Sequence, residues 1–324
     1  MMVKFVLSRV GQTLLVLWAA YTITFTILFV LPGDPIAIML NAADIEVDFL
    51  SDAELTAIKA QYGLDQPMYA YYLKSLVGAV HGDFGMSLTQ KQPVTGLILD
   101  RLPSTMSLAG TAVLVSVVVG AGFAYLATRS SFRPLRTLLA RLPVFGVSLP
   151  TFWVGLLLVQ VFAFSLGWLP ATGQNGPRSL ILPVITMSLP SGAVYAQVLI
   201  KGLEEGFRQP YAQAALSRGL TRGQVQGRYV FRNAALPVLT LLGLQVGNTV
   251  AGTIVIETVF TRNGIGRLAQ EAVLAQDIPL VLGIVVLAAA AFVVVNLLVD
   301  LIYPFVDPRV RAEASSRSNR LSTL

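Results

Sequence analysis

Six long runs of this chain carry no charged residue: Val10–Gly33, Leu102–Thr128, Leu142–Pro177, Ser179–Ile200, Asn233–Ile256 and Ile278–Val299. Each reaches the roughly 20 residues that a helix needs to cross about 30 Å of hydrocarbon. A charge at the centre of such a helix costs about 2.5–3.5 kcal/mol, so the pattern predicts six transmembrane helices and an all-α, polytopic membrane fold. The third run exceeds one span, and Leu169-Pro170-Ala171-Thr172-Gly173 at its far end reads as a turn outside the membrane. The first run is longer than the core of a secretory signal, and Pro32-Gly33-Asp34-Pro35 follows it where small residues would mark cleavage. It is read as a retained helix.

Polar positions divide the rest. Residues 1–33 form a short tail and the first helix, 34–100 a small external subdomain, 101–311 the core, and 312–324 a second tail. The external segment carries Asp34, Asp44, Glu46, Asp48, Asp52, Glu54, Asp65, Asp83 and Asp100. These carboxylates read as a solvated face, not as an acid/base site. Ser51-Asp52-Ala53-Glu54 has the spacing of a capping box, Gly63 can end that helix, and a second helix is predicted over Met68–Val80.

The loop over 201–234 is more specific. Tyr211, Ala214, Ala215 and Arg218 recur at helical spacing on one face. Gly219 can take positive φ and stop the helix, and Thr221-Arg222-Gly223-Gln224 restarts one in a new direction. The product is a helix–Gly–helix elbow with small residues on its face. A helix resting on lipid headgroups would favour bulky apolar residues over Ala-Ala, so the elbow reads as a docking element for a partner.

Composition agrees. Apolar residues make up 55% and charged ones 12%, against about 25% charged in ordinary globular domains. The net charge of +6 sits in short stretches between the apolar runs, which suits membrane anchors and not nucleic acid. With the N-terminus inside, Lys4, Arg9, Arg129, Arg133, Arg136, Arg141, Lys201, Arg208, Arg218, Arg222, Arg228, Arg232, Arg309, Arg311, Arg317 and Arg320 all lie inside. Both termini are therefore expected in the cytoplasm. There is no cysteine and only one histidine, His81, which excludes disulfides and a multi-histidine metal cluster.

Tyr211-Ala212-Gln213-Ala214-Ala215-Leu216-Ser217-Arg218-Gly219, followed by Arg232-Asn233-Ala234-Ala235-Leu236-Pro237, resembles the EAA loop of ATP-binding-cassette importer permeases. Gln213 stands where that loop has its name-giving Glu, and Leu216 where relatives often carry a basic residue. Other segments resemble the dipeptide/oligopeptide/nickel branch: Leu31-Pro32-Gly33-Asp34-Pro35, Tyr62-Gly63-Leu64-Asp65-Gln66-Pro67, Gly82-Asp83-Phe84-Gly85-Met86-Ser87 and Arg101-Leu102-Pro103-Ser104-Thr105. So do Leu169 to Gly173, Ile256-Glu257-Thr258-Val259-Phe260, Gly264-Ile265-Gly266 and Asp307-Pro308-Arg309-Val310-Arg311.

The resemblance implies the type I importer permease fold, in a subunit of the bacterial cytoplasmic membrane that translocates di- or oligopeptides. It also implies a second homologous permease, one or two ABC ATPase subunits and an extracytoplasmic solute-binding protein. Tyr211, Gln213, Ala214, Ala215, Arg218 and Gly219 would then form the ATPase-coupling helix.

No Gly-x-x-x-x-Gly-Lys-Ser/Thr occurs, so the chain is expected to hold no cofactor and no ATPase site, with ATP bound by partner subunits. Gly264-Ile265-Gly266 reads as a turn. Gly243-Leu244-Gln245-Val246-Gly247 packs either against the partner permease or within its own bundle. Gln160, Gln197, Gln245 and Asn248 either line an aqueous path or hydrogen-bond between helices. No proton-relay role is given to Asp300, Tyr303 or Asp307. An ion-coupled carrier or channel is the alternative function; it predicts mid-membrane charges and an internal repeat, and the six runs have neither.

Overall fold

The computed structural model describes residues 2–30, 51, 56, 66–130 and 132–306. Asp52 to Glu54 of the expected cap, the Gly63 stop, the segments at 31–35 and 62–65, Asp307 to Arg311 and the tail 312–324 lie outside them. Among the described residues the chain is helical, apart from one isolated antiparallel bridge between Met86 and Pro93.

Among the described residues four helices are long and apolar enough to cross a membrane, and up to six if each of two bent pairs is one span. The four lie in α1 (Met2–Val30), α3 (Val94–Arg129), α6 (Arg178–Arg208) and α12 (Ile278–Val306). Between α1 and α3 comes α2, Met68–Val80, over the residues that the sequence predicts.

The third run is not one straight helix. It is split into α4 (Arg133–Ser148) and α5 (Thr151–Leu158), the latter prolonged by a π-helical stretch, Val159–Ser165. The two arms meet at 100°. Pro150 explains the break: its ring forces Leu149 into an extended conformation (φ −91°, ψ 133°) and it brings no N–H to continue the ladder. Counting charges alone cannot see this. Most of the fifth run lies in α10 (Leu236–Val259), whose second part, Gly247–Val259, bends by 52° from the arm Arg222–Gly243 that leads into it.

The chain forms two compact units, Met1–Met106 with Thr261–Val293, and Ser107–Phe260 with Val294–Leu324. In the first, Tyr21, Phe25 and Phe29 recur every fourth residue on one face of α1 and pack with Tyr71 and Tyr72 of α2. The Tyr21 hydroxyl donates to Ser75 Oγ at 2.8 Å. Burial pushes the Tyr71 phenol up to about 12. Ile23 and Ile27 on the opposite face of α1, and Leu14, Leu15 and Trp18 nearer its N-terminal end, stay exposed.

The same unit contains α11 (Ile265–Leu274), which the sequence reading misses by taking Gly264-Ile265-Gly266 as a turn. Gly264 is the N-cap and Gly266 is buried in the first helical turn. The Thr105 hydroxyl accepts the Ile265 N–H at 2.8 Å, closing one free donor of the helix start.

In the second unit α6 is the central helix, packed by α4, α5 and α10. Backbones approach where side chains are smallest. A Cβ on Gly120 of α3 would lie 2.7 Å from the Gly192 carbonyl of α6. Farther along, the Gly173 N–H donates to the Phe260 carbonyl at 3.1 Å, joining the turn after α5 to the end of α10.

Candidate functional site

The elbow is built as its sequence suggests. Helix α6 ends at Arg208, Gln209 turns the chain out in an extended conformation, and Pro210 opens α7 (Pro210–Ser217). At the far end Gly219 has φ +85°. The Leu220 N–H reaches the Ala215 carbonyl at 3.3 Å and the Gly219 N–H reaches Leu216 O at 3.0 Å, which is a Schellman stop. Thr221 and Gln224 then form the expected capping box at the start of α8 (Arg222–Val225). Beyond it come a π-helical turn, Gln226–Val230, and α9 (Phe231–Ala234).

The faces of α7 separate cleanly. Ala212 and Ala215 are buried with Leu203, Phe207, Val225, Val230 and Ala234, and Leu216 and Leu220 pack against the same core. Tyr211, Gln213, Ala214, Ser217, Arg218 and Gly219 are exposed. The expected docking face is therefore corrected at one position: Ala215 points into the bundle, and the exposed ridge runs Tyr211, Ala214, Ser217, Arg218. Leu216, half-buried, is drawn inward by the same core, so it is an anchor of the elbow and not a projecting group.

Gln213 has a local task. Its Nε2 donates to the Phe207 carbonyl at 2.7 Å, satisfying a backbone acceptor at the end of α6 that no further turn of helix serves. A carboxylate could not make this bond, which accounts physically for an amide at this place. Two further contacts tie the elbow to α6. The Arg222 guanidinium sits 4.4 Å from the centre of the Phe207 ring, and a Cβ on Gly206 would press on Val230 Cγ1. Asn233 Nδ2 lies 3.5 Å from the Tyr211 hydroxyl, so the two halves of the EAA-like sequence are neighbours.

The four polar residues singled out for a path do not form one cluster through their side-chain bonds. Gln245 and Asn248 pair, with Nδ2 of Asn248 donating to Oε1 of Gln245 at 2.6 Å on α10, just past Gly243. Gln197 is half-buried on α6 and Gln160 is exposed in the π-helical stretch after α5. Gly243 is buried and Gly247 half-buried within the second unit.

Charge-free runs also hide three buried ionisable residues next to them. Glu257 and Asp277 are fully buried and Arg262 nearly so. Glu257 lies inside α10, one residue past the end of the fifth run. Buried Gln226 is likewise missed. With Arg222 and Gly223 one turn before it, no apolar flank marks Gln226, whereas Asp277 stands just before the apolar run at Ile278, where an N-cap is expected.

Residues 102–312 match the family described as binding-protein-dependent transport system inner membrane component, and residues 2–109 match its N-terminal family. The chain belongs to this family. It is a multi-pass membrane protein and a permease subunit of an ATP-binding-cassette importer, which decides against the ion-coupled carrier. A Brucella melitensis protein named as a peptide transport system permease is 35% identical over 319 residues, covering 96% of this chain and 99% of its own length. A Brucella abortus protein named in the same way is 35% identical over 318 residues, with 96% and 99% covered. The glutathione transport system permease protein GsiC of Escherichia coli K12 is 32% identical over 311 residues, again with 96% and 99% covered.

Proposed function

We propose that this permease pairs with a homologous permease in the bacterial cytoplasmic membrane, both termini inside, and passes di- or oligopeptides delivered by an extracytoplasmic solute-binding protein. One or two ABC ATPase subunits bind the ATP and push on residues 211–219; the chain itself holds no cofactor. The peptide reading is supported by the relatives, named for peptide and for glutathione transport. The cytoplasmic placement of the elbow is supported by its arginines.

One observation carries the coupling role: α7 presents an exposed ridge of Tyr211, Ala214, Ser217 and Arg218 while Ala212 and Ala215 fix its back to the bundle. A docking element must be both accessible and stiffly mounted, and small side chains let another backbone come close. ATP binding and hydrolysis shift the permease only through a difference in affinity between its states, and the mounted ridge is where that difference enters. Gln245 and Asn248, with Gln160 and Gln197, are proposed to contribute polar groups to the path.

Because the chain has no cysteine, Ala214→Cys and Ser217→Cys report contact directly. Each is expected to crosslink to a cysteine placed on an ATPase subunit in the assembled complex. A complex that takes up peptide on ATP yet gives no crosslink from either position would overturn the reading.

A further inference from the structure

Gln226 is fully buried in the second unit. Its Nε2 donates to the Thr128 hydroxyl at 2.7 Å and to the Tyr125 carbonyl at 3.1 Å, both in the last turns of α3. The Thr128 hydroxyl in turn donates to the Ala124 carbonyl at 2.8 Å, so it faces Gln226 as an acceptor. This directionality sets the amide: turned over, its oxygen would confront two acceptors. The other half of the amide finds nothing, for Oε1 is buried without a partner.

A buried acceptor without a protein partner is unfavourable, and an apolar side chain of the same shape would avoid it. Stability alone therefore does not explain a glutamine here. Position does. Gln226 opens the π-helical turn, flanked by the buried Val225 and Val230. A π turn is a local departure from the helical ladder that frequently marks functional sites. On one side of that turn Val230 is wedged against Gly206 of α6; on the other Gln226 grips α3. The Arg129 guanidinium adds to the second contact, lying 3.7 Å from where a Cβ on Gly223 would be.

We propose that Gln226 is the positioning residue that makes the elbow and the C-terminal end of α3 move as one body, so that a push on α7 reaches α3 as well as α6. This rests on the elbow being the ATPase contact. Apolar packing alone is non-directional and allows sliding; two hydrogen bonds from one amide fix the register.

The experiment uses the assembled complex of both permeases, ATPases and binding protein in lipid nanodiscs. Spin labels go on Arg228→Cys in the second arm of the elbow, off the docking ridge, and Leu126→Cys on α3, both exposed. Their separation is measured without nucleotide and with a non-hydrolysable ATP analogue. It is expected to hold within about 2 Å, the scale of a helix shift at an interface; a larger change overturns the proposal.

The near-isosteric Gln226→Met removes both bonds and the orphan acceptor together. With assembly and Tm unchanged, the separation is expected to drift between states. Peptide moved per ATP is expected to fall about tenfold. Thr128→Val, which leaves the bond to the Tyr125 carbonyl, should do so to a smaller extent, and the double variant no more than Gln226→Met alone, because the pair acts through the same amide. A Met variant with wild-type separation and wild-type transport per ATP would sink the idea; should it fail to assemble, the wild-type separations decide. Lost crosslinking from Ala214→Cys with a constant separation would instead condemn the docking role alone.

Discussion

Asp277 and Ser87, 190 residues apart, meet in a buried hydrogen bond of 2.6 Å from the serine hydroxyl to the carboxylate. The same oxygen, Oδ2, accepts the Thr89 hydroxyl at 2.9 Å and the Thr89 N–H at 3.1 Å. The second oxygen accepts the Leu280 N–H at 3.2 Å, capping the start of α12. One carboxylate thus caps the start of one element and pins the turn at 85–94, in which Gly85 and Lys91 take positive φ.

Removing that carboxylate strands several donors in a dry site. Asp277→Ala is expected to destabilise the protein by about 3 kcal/mol, the range for hydrogen bonds to a charged group. Ser87→Ala, which takes away one donor and leaves the carboxylate two others from Thr89, should cost less than half of that. Thermal unfolding in detergent, followed by tryptophan fluorescence, compares them. Equal losses would show that the bond to the turn at Ser87, and not the cap at Leu280, carries what Asp277 contributes.

The glycines of α3 give a paired test. A Cβ at Gly120 would press on the Gly192 carbonyl at 2.7 Å, whereas one at Gly122 meets nothing within 4 Å. Gly120→Ala must push α3 and α6 apart, at a cost of about 1–3 kcal/mol. Gly122→Ala should be neutral or stabilising by up to about 1 kcal/mol, through helix propensity. A matched fall in Tm for both variants would contradict the close approach.

What was legible in the sequence was local. The helix at Met68–Val80, the positive φ at Gly219 and the Thr221 capping box each follow from a few neighbouring residues, and the structure has them. What was not legible depends on partners far along the chain: the Asp277 clamp, the Gln226 bonds and the inward turn of Ala215. Pro150 was visible but ambiguous, since Pro183 and Pro190 sit inside α6 without ending it. Difference in surroundings, not in sequence, separates the break from the tolerated prolines. The motifs of the family resemblance behave in a related way. Thr105 meets Ile265 and Gly173 meets Phe260, so segments that look like separate signatures are opposite sides of the same corners.

Gly219 separates conformational strain from bulk. Its φ is +85° and a Cβ there would find open space, so only the backbone resists substitution. A β-branched residue in this region is strained by about 1–2 kcal/mol, while asparagine is tolerated. Gly219→Val is expected to leave expression and assembly intact but to lower peptide uptake per ATP, by re-aiming the chain after α7. Gly219→Asn should keep most of it. Reconstituted proteoliposomes with both readouts check this, and normal coupling in the valine variant would remove the Schellman stop from the mechanism.

Asn248 decides what the polar pair on α10 is for. It is exposed and bonded to Gln245 at 2.6 Å. Val119 on α3 is 59% exposed but lies in an apolar cleft of about 440 Å³ beside Phe123, Leu142 and Phe145. Exposure to water and exposure to hydrocarbon look alike by area; they differ in the ionised thiolate, which forms only where water reaches. In the cysteine-free chain, Asn248→Cys is expected to react with a charged, membrane-impermeant thiol reagent, and Val119→Cys to stay unmodified. Addition of peptide and binding protein should then slow the reaction at Asn248→Cys. Protection without any change in uptake rate would mean occlusion by a neighbouring helix, and silence at both positions would make the pair a helix–helix contact and move the path elsewhere.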